Sequence, residues 1–230
     1  MLRDWNELPN FMKCDEVRIY YDILSKKKIE LKLKRIFDVI VSIILLILLA
    51  IPMSIIAVII KLDSKGSVFY RQERITAYGK KFKIHKFRTM MDNADKIGPV
   101  ITLKEDKRIT HIGTKIRKYR LDEIPQLLDI LVGNMSFVGT RPEVIKYVRK
   151  YTGKMRATLL LPAGITSEAS IRYKDEAKLL DGAENADKVY VEQILPAKME
   201  YNLKSIQEFS IFGEIMTMFR TIFVMFGKKY

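Results

Sequence analysis

The stretch VIVSIILLILLAIPMSIIAVII runs from Val39 to Ile60 without one charged side chain. As a helix rising ~1.5 Å per residue it would be roughly 33 Å long, about one hydrocarbon core. It starts too far from the N-terminus for a secretory signal, is too long for an h-region, and lacks a small-x-small cleavage site. The ordinary reading is a single spanning helix. Pro52 weighs against it, because proline removes a backbone donor and clashes with the preceding turn. Charge weighs against it too. Lys26, Lys27, Lys28, Lys32, Lys34 and Arg35 lie upstream; Lys61, Lys65, Arg71, Arg74, Lys80 and Lys81 lie downstream. Cytoplasmic loops collect Lys and Arg beside membrane segments. A spanning helix would place one basic flank outside. A re-entrant helix, bent at Pro52, keeps both flanks on one side. Proline-bent spanning helices also exist, so composition leaves the two topologies level.

The rest of the chain sets the wider bounds. Its 230 residues suit one domain with appendages, and 48% hydrophobic with 30% charged residues supports a core. Lys+Arg is 41 against Asp+Glu 27, a formal net charge of +14. Such a chain suits a polyanion: nucleic acid, an anionic bilayer face or phosphorylated substrates. Cys14 alone excludes an internal disulfide framework, and His85 and His111 cannot build a His-rich metal site. Residues 1–33 read as a polar extension with one apolar cluster (Val17, Ile19, Tyr20, Tyr21, Ile23, Leu24), a short helix ending at the lysine run. Ser67–Arg71 and Lys81–Phe87 alternate partially around Ala77-Tyr78-Gly79, which predicts a β-hairpin. Helical spacing covers Ile109–Arg120, Ile124–Val132 (stopping at Gly133), Val144–Tyr151 and Ala186–Phe209, the last with an interruption expected at Pro196. Phe212, Ile215, Met216, Phe219, Ile222, Phe223 and Phe226, before Lys228-Lys229, form one apolar helical stripe. It suits a core helix or an interfacial one.

Chemistry concentrates between Arg117 and Pro142. Pro125 is tolerated only in a first helical turn, which predicts Asp122 at or next to an N-cap and Glu123 in that turn. An N-cap aspartate ordinarily satisfies free backbone donors. The alternative is a carboxylate held ionised by the helix terminus and Arg117, beside a second carboxylate, able to bind Mg²⁺ or attack phosphorus. Lys86, Arg88, Arg108, Arg117 and Arg141 read most simply as solvated or lipid-facing charges. Arg141, however, sits in the constrained turn Val138-Gly139-Thr140-Arg141-Pro142, which suits planar recognition of phosphate or carboxylate.

Six motifs follow one another in order: Lys34-Arg35-Ile36-Phe37-Asp38, Gly66 to Arg74, Phe82 to Met90, Asp106-Lys107-Arg108-Ile109-Thr110, Leu121 to Leu127, and Gly133 to Pro142. The set resembles the bacterial sugar transferase family, the small monotopic phosphoglycosyl transferases, from about Lys34 to about Thr221. The resemblance implies an α+β fold, mostly helical with a small β-hairpin or sheet, a re-entrant membrane helix and interfacial amphipathic helices. It implies an extension (1–33), a re-entrant helix (34–62) and a catalytic domain (63–230). It also implies transfer of a sugar-1-phosphate from a UDP-sugar to polyprenyl (undecaprenyl) phosphate, with UMP released, Mg²⁺ required and Asp122–Glu123 as the catalytic and metal-binding pair. Lys86, Arg117 and Arg141 become its phosphate-binding residues. The site would lie at the cytoplasmic face of a bacterial inner membrane, with membrane lipid as partner, no nucleic acid, and a homodimer compatible. The product would enter capsule, O-antigen, exopolysaccharide or glycoprotein glycan synthesis.

The chain departs from the family pattern in places. Ile51 rather than serine precedes Pro52. Gly139-Thr140-Arg141-Pro142 has one proline fewer than usual. Pro162-Ala163-Gly164-Ile165-Thr166-Ser167, followed by Glu168-Ala169-Ser170, lacks an arginine and a glycine, which bears on substrate identity. Two rival functions remain. A basic membrane adaptor, binding anionic lipid or nucleic acid, would show salt-dependent binding indifferent to Asp122. A bitopic glycosyltransferase with another acceptor would leave one basic flank outside.

Overall fold

A computed structural model describes residues 2–94, 106–181, 183 and 185–225. Phe226, Lys228 and Lys229 of the expected C-terminal stripe lie outside these residues. The elements in chain order are α1 (Asp15–Ser25), α2 (Lys28–Leu48), α3 (Ala50–Asp63), β1 (Phe69–Ile75), β2 (Lys81–Phe87), α4 (His111–Lys118), a 3₁₀ segment (Leu121–Gln126), α5 (Leu127–Leu131), β3 (Met135–Val138), α6 (Ile145–Val148), β4 (Ala163–Thr166), α7 (Glu168–Arg172), α8 (Glu176–Leu179), α9 (Ala186–Val189), α10 (Leu195–Gln207) and α11 (Ile211–Met225). The fold is α+β and mostly helical.

The apolar run divides into α2 and α3, bent by 61°. Among the described residues no single helix is long and apolar enough to cross a membrane. The break lies at Leu49 rather than at Pro52, which sits in the first turn of α3. The displacement follows from proline's chemistry. The Leu49 amide still bonds to Leu45 and the Met53 amide to Leu49. Pro52 has no amide to offer the Leu48 carbonyl, and its ring crowds that carbonyl, so the helix fails one turn earlier. Arg88 secures the far end of α3 by donating to the carbonyls of Ile60, Ser64 and Lys65. A cation on exposed helix-end carbonyls is a favourable cap. Arg88 is therefore buried structure, not a solvated charge.

The expected hairpin is present. β1 and β2 pair antiparallel, Phe69 opposite Phe87 and Ile75 opposite Lys81, across the turn Ala77–Gly79. A second sheet was not anticipated: β3 and β4 pair in parallel, Met135 with Ala163 and Val138 with Thr166. Each is only four residues long and fully or nearly buried, so neither shows the alternation that marks a half-buried strand.

Other boundaries shift for local reasons. Ala186–Gln207 is not interrupted at Pro196. It passes through a π-helical turn at Tyr190–Ile194, and Pro196 lies in the first turn of α10, where its missing donor costs little. The Ile124–Val132 helix shrinks to α5, and Gly133 ends it with φ +83°. The N-terminal residues do not hang free. Leu8, Met12, Val17, Tyr20, Tyr21 and Leu24 share one buried cluster with Tyr147, Tyr151, Leu195 and Leu203, and α2 runs unbroken through residues 33–34.

Candidate functional site

Three chain segments converge on Asp122 and Glu123. The first follows α4: Arg120, two residues past its end, lies in the left-handed region (φ 55°), so the chain turns sharply into the 3₁₀ segment. Asp122 and Glu123 occupy the first turn of that segment, whose N-cap residue is Arg120, and among the described residues no side chain caps its start. The ordinary structural role of an N-cap aspartate therefore does not apply. Three residues per turn splay the two adjacent side chains about 120° apart, and the segment packs against β2.

The second segment is β2, which carries Lys86. Its Nζ lies 2.9 Å from Glu123 Oε1 and 3.6 Å from Asp122 Oδ2. The neighbouring His85 donates its backbone amide to Asp129 Oδ2 at 2.8 Å, and its Nδ1 lies 2.8 Å from Asp129 Oδ1. This clamp ties β2 to α5. The third segment is the turn after β3. Gly139 and Gly164 approach so closely that a Cβ on Gly164 would lie 2.2–2.6 Å from the Gly139 backbone. Gly139 N bonds to Thr166 O, and Gly164 N to Thr140 O. The pairing holds the turn rigid up to Arg141, whose Nη2 lies 2.6 Å from Glu123 Oε1. Arg74 donates to the Pro142 carbonyl at 3.1 Å from the other side.

Both carboxylates are 8% exposed, and their environments push them apart. Burial opposes ionisation of Glu123, but Arg141 and Lys86 outweigh it and hold this carboxyl well below the usual range. Burial pushes Asp122 up, Lys86 pulls it back, and the charge on Glu123 adds to the rise. Burial lowers Lys86 against the pull of Glu123, and it lowers Arg117. Glu123 raises Arg141. Glu123 is thus a pinned anion. Asp122 is the more basic oxygen donor, and its one ion pair among the described residues is the long contact with Lys86.

Lys86, Arg117, Asp122, Glu123 and Arg141 all line one cavity of about 900 Å³. Sequence reasoning missed Arg120, 3.9 Å from Glu123 Oε1, and Arg74, and it read Arg108 as a solvated or lipid-facing charge; all three line the cavity too. Arg120 was signalled by its place beside Asp122. Arg74 and Arg108 lie in motifs that pointed to no role. The altered segment Pro162–Ser170 reaches the cavity at Ser170, where Ser167 Oγ caps α7 through the Ser170 amide.

Among the described residues no group of three or more His, Cys, Asp or Glu could hold a metal ion. The carboxylates alone make no closed cage. Mg²⁺ is commonly held by one or two carboxylates with phosphate oxygens and water. Glu123 Oε1 is taken up by Arg141 and Lys86, which leaves Glu123 Oε2 and Asp122. That donor set fits a metal arriving with a phosphorylated substrate.

Residues 29–228 match the family model described as bacterial sugar transferase. A Klebsiella pneumoniae protein named UDP-glucose:undecaprenyl-phosphate glucose-1-phosphate transferase is 34% identical over 207 residues, covering 87% of this chain and 42% of its own length. An Aeromonas hydrophila protein named UDP-N-acetylgalactosamine-undecaprenyl-phosphate N-acetylgalactosaminephosphotransferase is 31% identical over 83% of this chain and 43% of its own length. The exopolysaccharide production protein ExoY of Sinorhizobium fredii is 30% identical over 82% of this chain and 83% of its own. The chain thus spans about two fifths of the first two relatives and most of the third. With six ordered motifs, a match over most of its length and the carboxylate pair where those motifs converge, the chain belongs to the bacterial sugar transferase family.

Proposed function

We propose that this chain moves a sugar-1-phosphate from a UDP-sugar to undecaprenyl phosphate, releasing UMP, by way of an aspartyl-phosphosugar intermediate. The observation that carries the reading is the asymmetry of the carboxylate pair. Glu123 is pinned by Lys86 and Arg141, while Asp122 is buried, basic and lightly engaged among cations that line one cavity.

In the first step an Asp122 oxygen bonds to the sugar-bearing phosphorus, and the bond to UMP breaks with its electron pair leaving on UMP. Lys86, Arg117, Arg120 and Arg141 offset charge as one anion approaches another. In the second step an oxygen of the lipid phosphate bonds to the same phosphorus and Asp122 leaves as the carboxylate. The mixed anhydride preserves the reactivity of the broken diphosphate, and two displacements replace one. Asp122 and Glu123 Oε2 would hold Mg²⁺, which supplies charge neutralisation on the diphosphate.

The lipid substrate accounts for the apolar exterior. Ile40, Ile44 and Ile47 of α2, Ile51, Ile55 and Val58 of α3, and Phe212, Phe219 and Phe223 of α11 are exposed. We read α2–α3 as re-entrant and α11 as interfacial, with the cavity on the cytoplasmic face of a bacterial inner membrane. Purified protein with Mg²⁺, polyprenyl phosphate and a UDP-sugar panel should release UMP. Asp122→Asn should lower that release by at least about a thousandfold; full activity in the variant would end the nucleophile assignment.

A further inference from the structure

The cavity that holds the carboxylate pair is also lined by a second polar cluster that the transfer chemistry leaves unused. Lys198, only 5% exposed, stands on α10. Its Nζ lies 2.7 Å from Glu176 Oε2, 3.2 Å from the Tyr190 hydroxyl and 3.8 Å from Glu143 Oε1. Tyr190, in the π-helical turn, donates its hydroxyl to Glu143. Single π turns inside α-helices recur at functional sites. Glu143, Glu176, Tyr190 and Lys198 all border the cavity.

The two clusters differ in charge. Around Asp122 and Glu123 the cations outnumber the carboxylates four to two, which draws phosphates. In the second cluster Lys198 and the adjacent Arg74 balance Glu143 and Glu176, which leaves no excess cation for a phosphate. What it offers is fixed donors and acceptors, each oriented by a neighbour. Glu176 is its more open member, with a side chain 27% exposed. A neutral, hydroxyl-rich group satisfies such a surface, since each hydroxyl both donates and accepts. The cluster also stands close to the reacting centre. Glu143 follows Arg141 by two residues, and its charge is felt at Arg141. The sugar is bonded to the phosphorus that Asp122 would attack, whereas the nucleoside lies one phosphate farther away.

We infer that Glu176 and Lys198, held by Tyr190 and Glu143, form the surface that binds the glycosyl group of the donor and sets which sugar is accepted. This rests on the transferase reading above. The test uses the full chain in lipid nanodiscs. Dissociation constants are measured for UDP and for UDP-glucose, UDP-galactose, UDP-N-acetylglucosamine and UDP-N-acetylgalactosamine, in wild type, Glu176→Gln and Lys198→Met. Wild type should bind at least one UDP-sugar more tightly than UDP. The near-isosteric Glu176→Gln should erase about tenfold of that increment, the scale of one hydrogen bond to a charged group, and leave UDP affinity within about twofold. Lys198→Met should act in the same direction, with retained UDP affinity showing that it folds. Preserved sugar preference in both variants, an equal loss for UDP, or a wild type that binds no UDP-sugar better than UDP would each overturn the assignment. A wild type that neither binds UDP nor releases UMP would instead overturn the transferase reading, and this inference with it.

Discussion

The cavity around Asp122 and the bent pair α2–α3 invert each other. In the cavity, charged side chains are withdrawn from solvent: Asp122 and Glu123 are buried, Lys86 is half-buried, and each carboxylate faces cations. On the bent pair, isoleucines point outward: Ile47 is 70% and Ile51 74% exposed. A soluble protein shows neither feature on this scale without a reason. The buried charges have a reason if their ligand is an anion. The exposed isoleucines have one if their solvent is lipid. The proposed substrate, with a phosphate head and an apolar tail, would unite the two.

The seam between the regions mixes the two chemistries. The inner face of α2 buries Lys34, Asp38 and Ser42. Lys34 pairs with Glu214 of α11 and donates to the Val138 carbonyl, and Asp38 accepts from the Phe137 amide. α2 and α11 are therefore fastened to β3, the strand that leads to Arg141.

The contrast can be broken at several strengths. After Asp122→Asn, the largest effect should come from Arg141→Met. Glu123 would lose its closest cation, and UMP release should fall by about a hundredfold or more, the scale for loss of one preorganised charge donor. A rate within about threefold of wild type would show that Arg141 only packs. Next come two apolar residues of α2 that differ in surroundings. Leu31, 1% exposed, should cost about 2–5 kcal/mol when changed to alanine. Ile47→Ser, at an exposed site, should change the unfolding free energy by no more than about 0.5 kcal/mol yet reduce retention on vesicles. Thermal unfolding in detergent beside vesicle flotation separates the two. Destabilisation by Ile47→Ser comparable with that of Leu31→Ala would place Ile47 against protein, not lipid.

The smallest effect is a shift in pH dependence. In the proposed mechanism Asp122 must be ionised to attack, and burial raises its folded pKa, so kcat/KM should fall as pH drops through that raised value. The charge of Glu123 contributes to the rise. Glu123→Gln removes it and frees Lys86 and Arg141 to act on Asp122, so the acid limb should move to lower pH in whatever activity remains. A limb that stays in place would show that another group controls it.

Legibility in the sequence followed the kind of interaction. The β1–β2 hairpin shows because alternation and a Gly turn are local signals. The carboxylate pair shows because adjacent residues share a motif, and Arg141 because its turn is constrained. The break at Leu49 was displaced from the proline that causes it, since the clash acts on the turn before. β3 and β4 were hidden because short buried strands carry no period. Tyr190 and Lys198 were hidden because what joins them to Glu143 is a tertiary contact across half the domain, which no spacing records. The burial of residues 8–24 was hidden likewise: Val17, Tyr20, Tyr21 and Leu24 form a helical face whose partner lies more than a hundred residues away.

The most direct measurement is intact-protein and peptide mass spectrometry after incubation with Mg²⁺ and a UDP-sugar, with no lipid acceptor present. The account predicts a sugar-phosphate increment on the peptide containing Asp122, UMP in equal amount, and loss of the increment when polyprenyl phosphate is added. Turnover that requires both substrates at once, with no modified Asp122 peptide and no UMP before lipid is supplied, would contradict it.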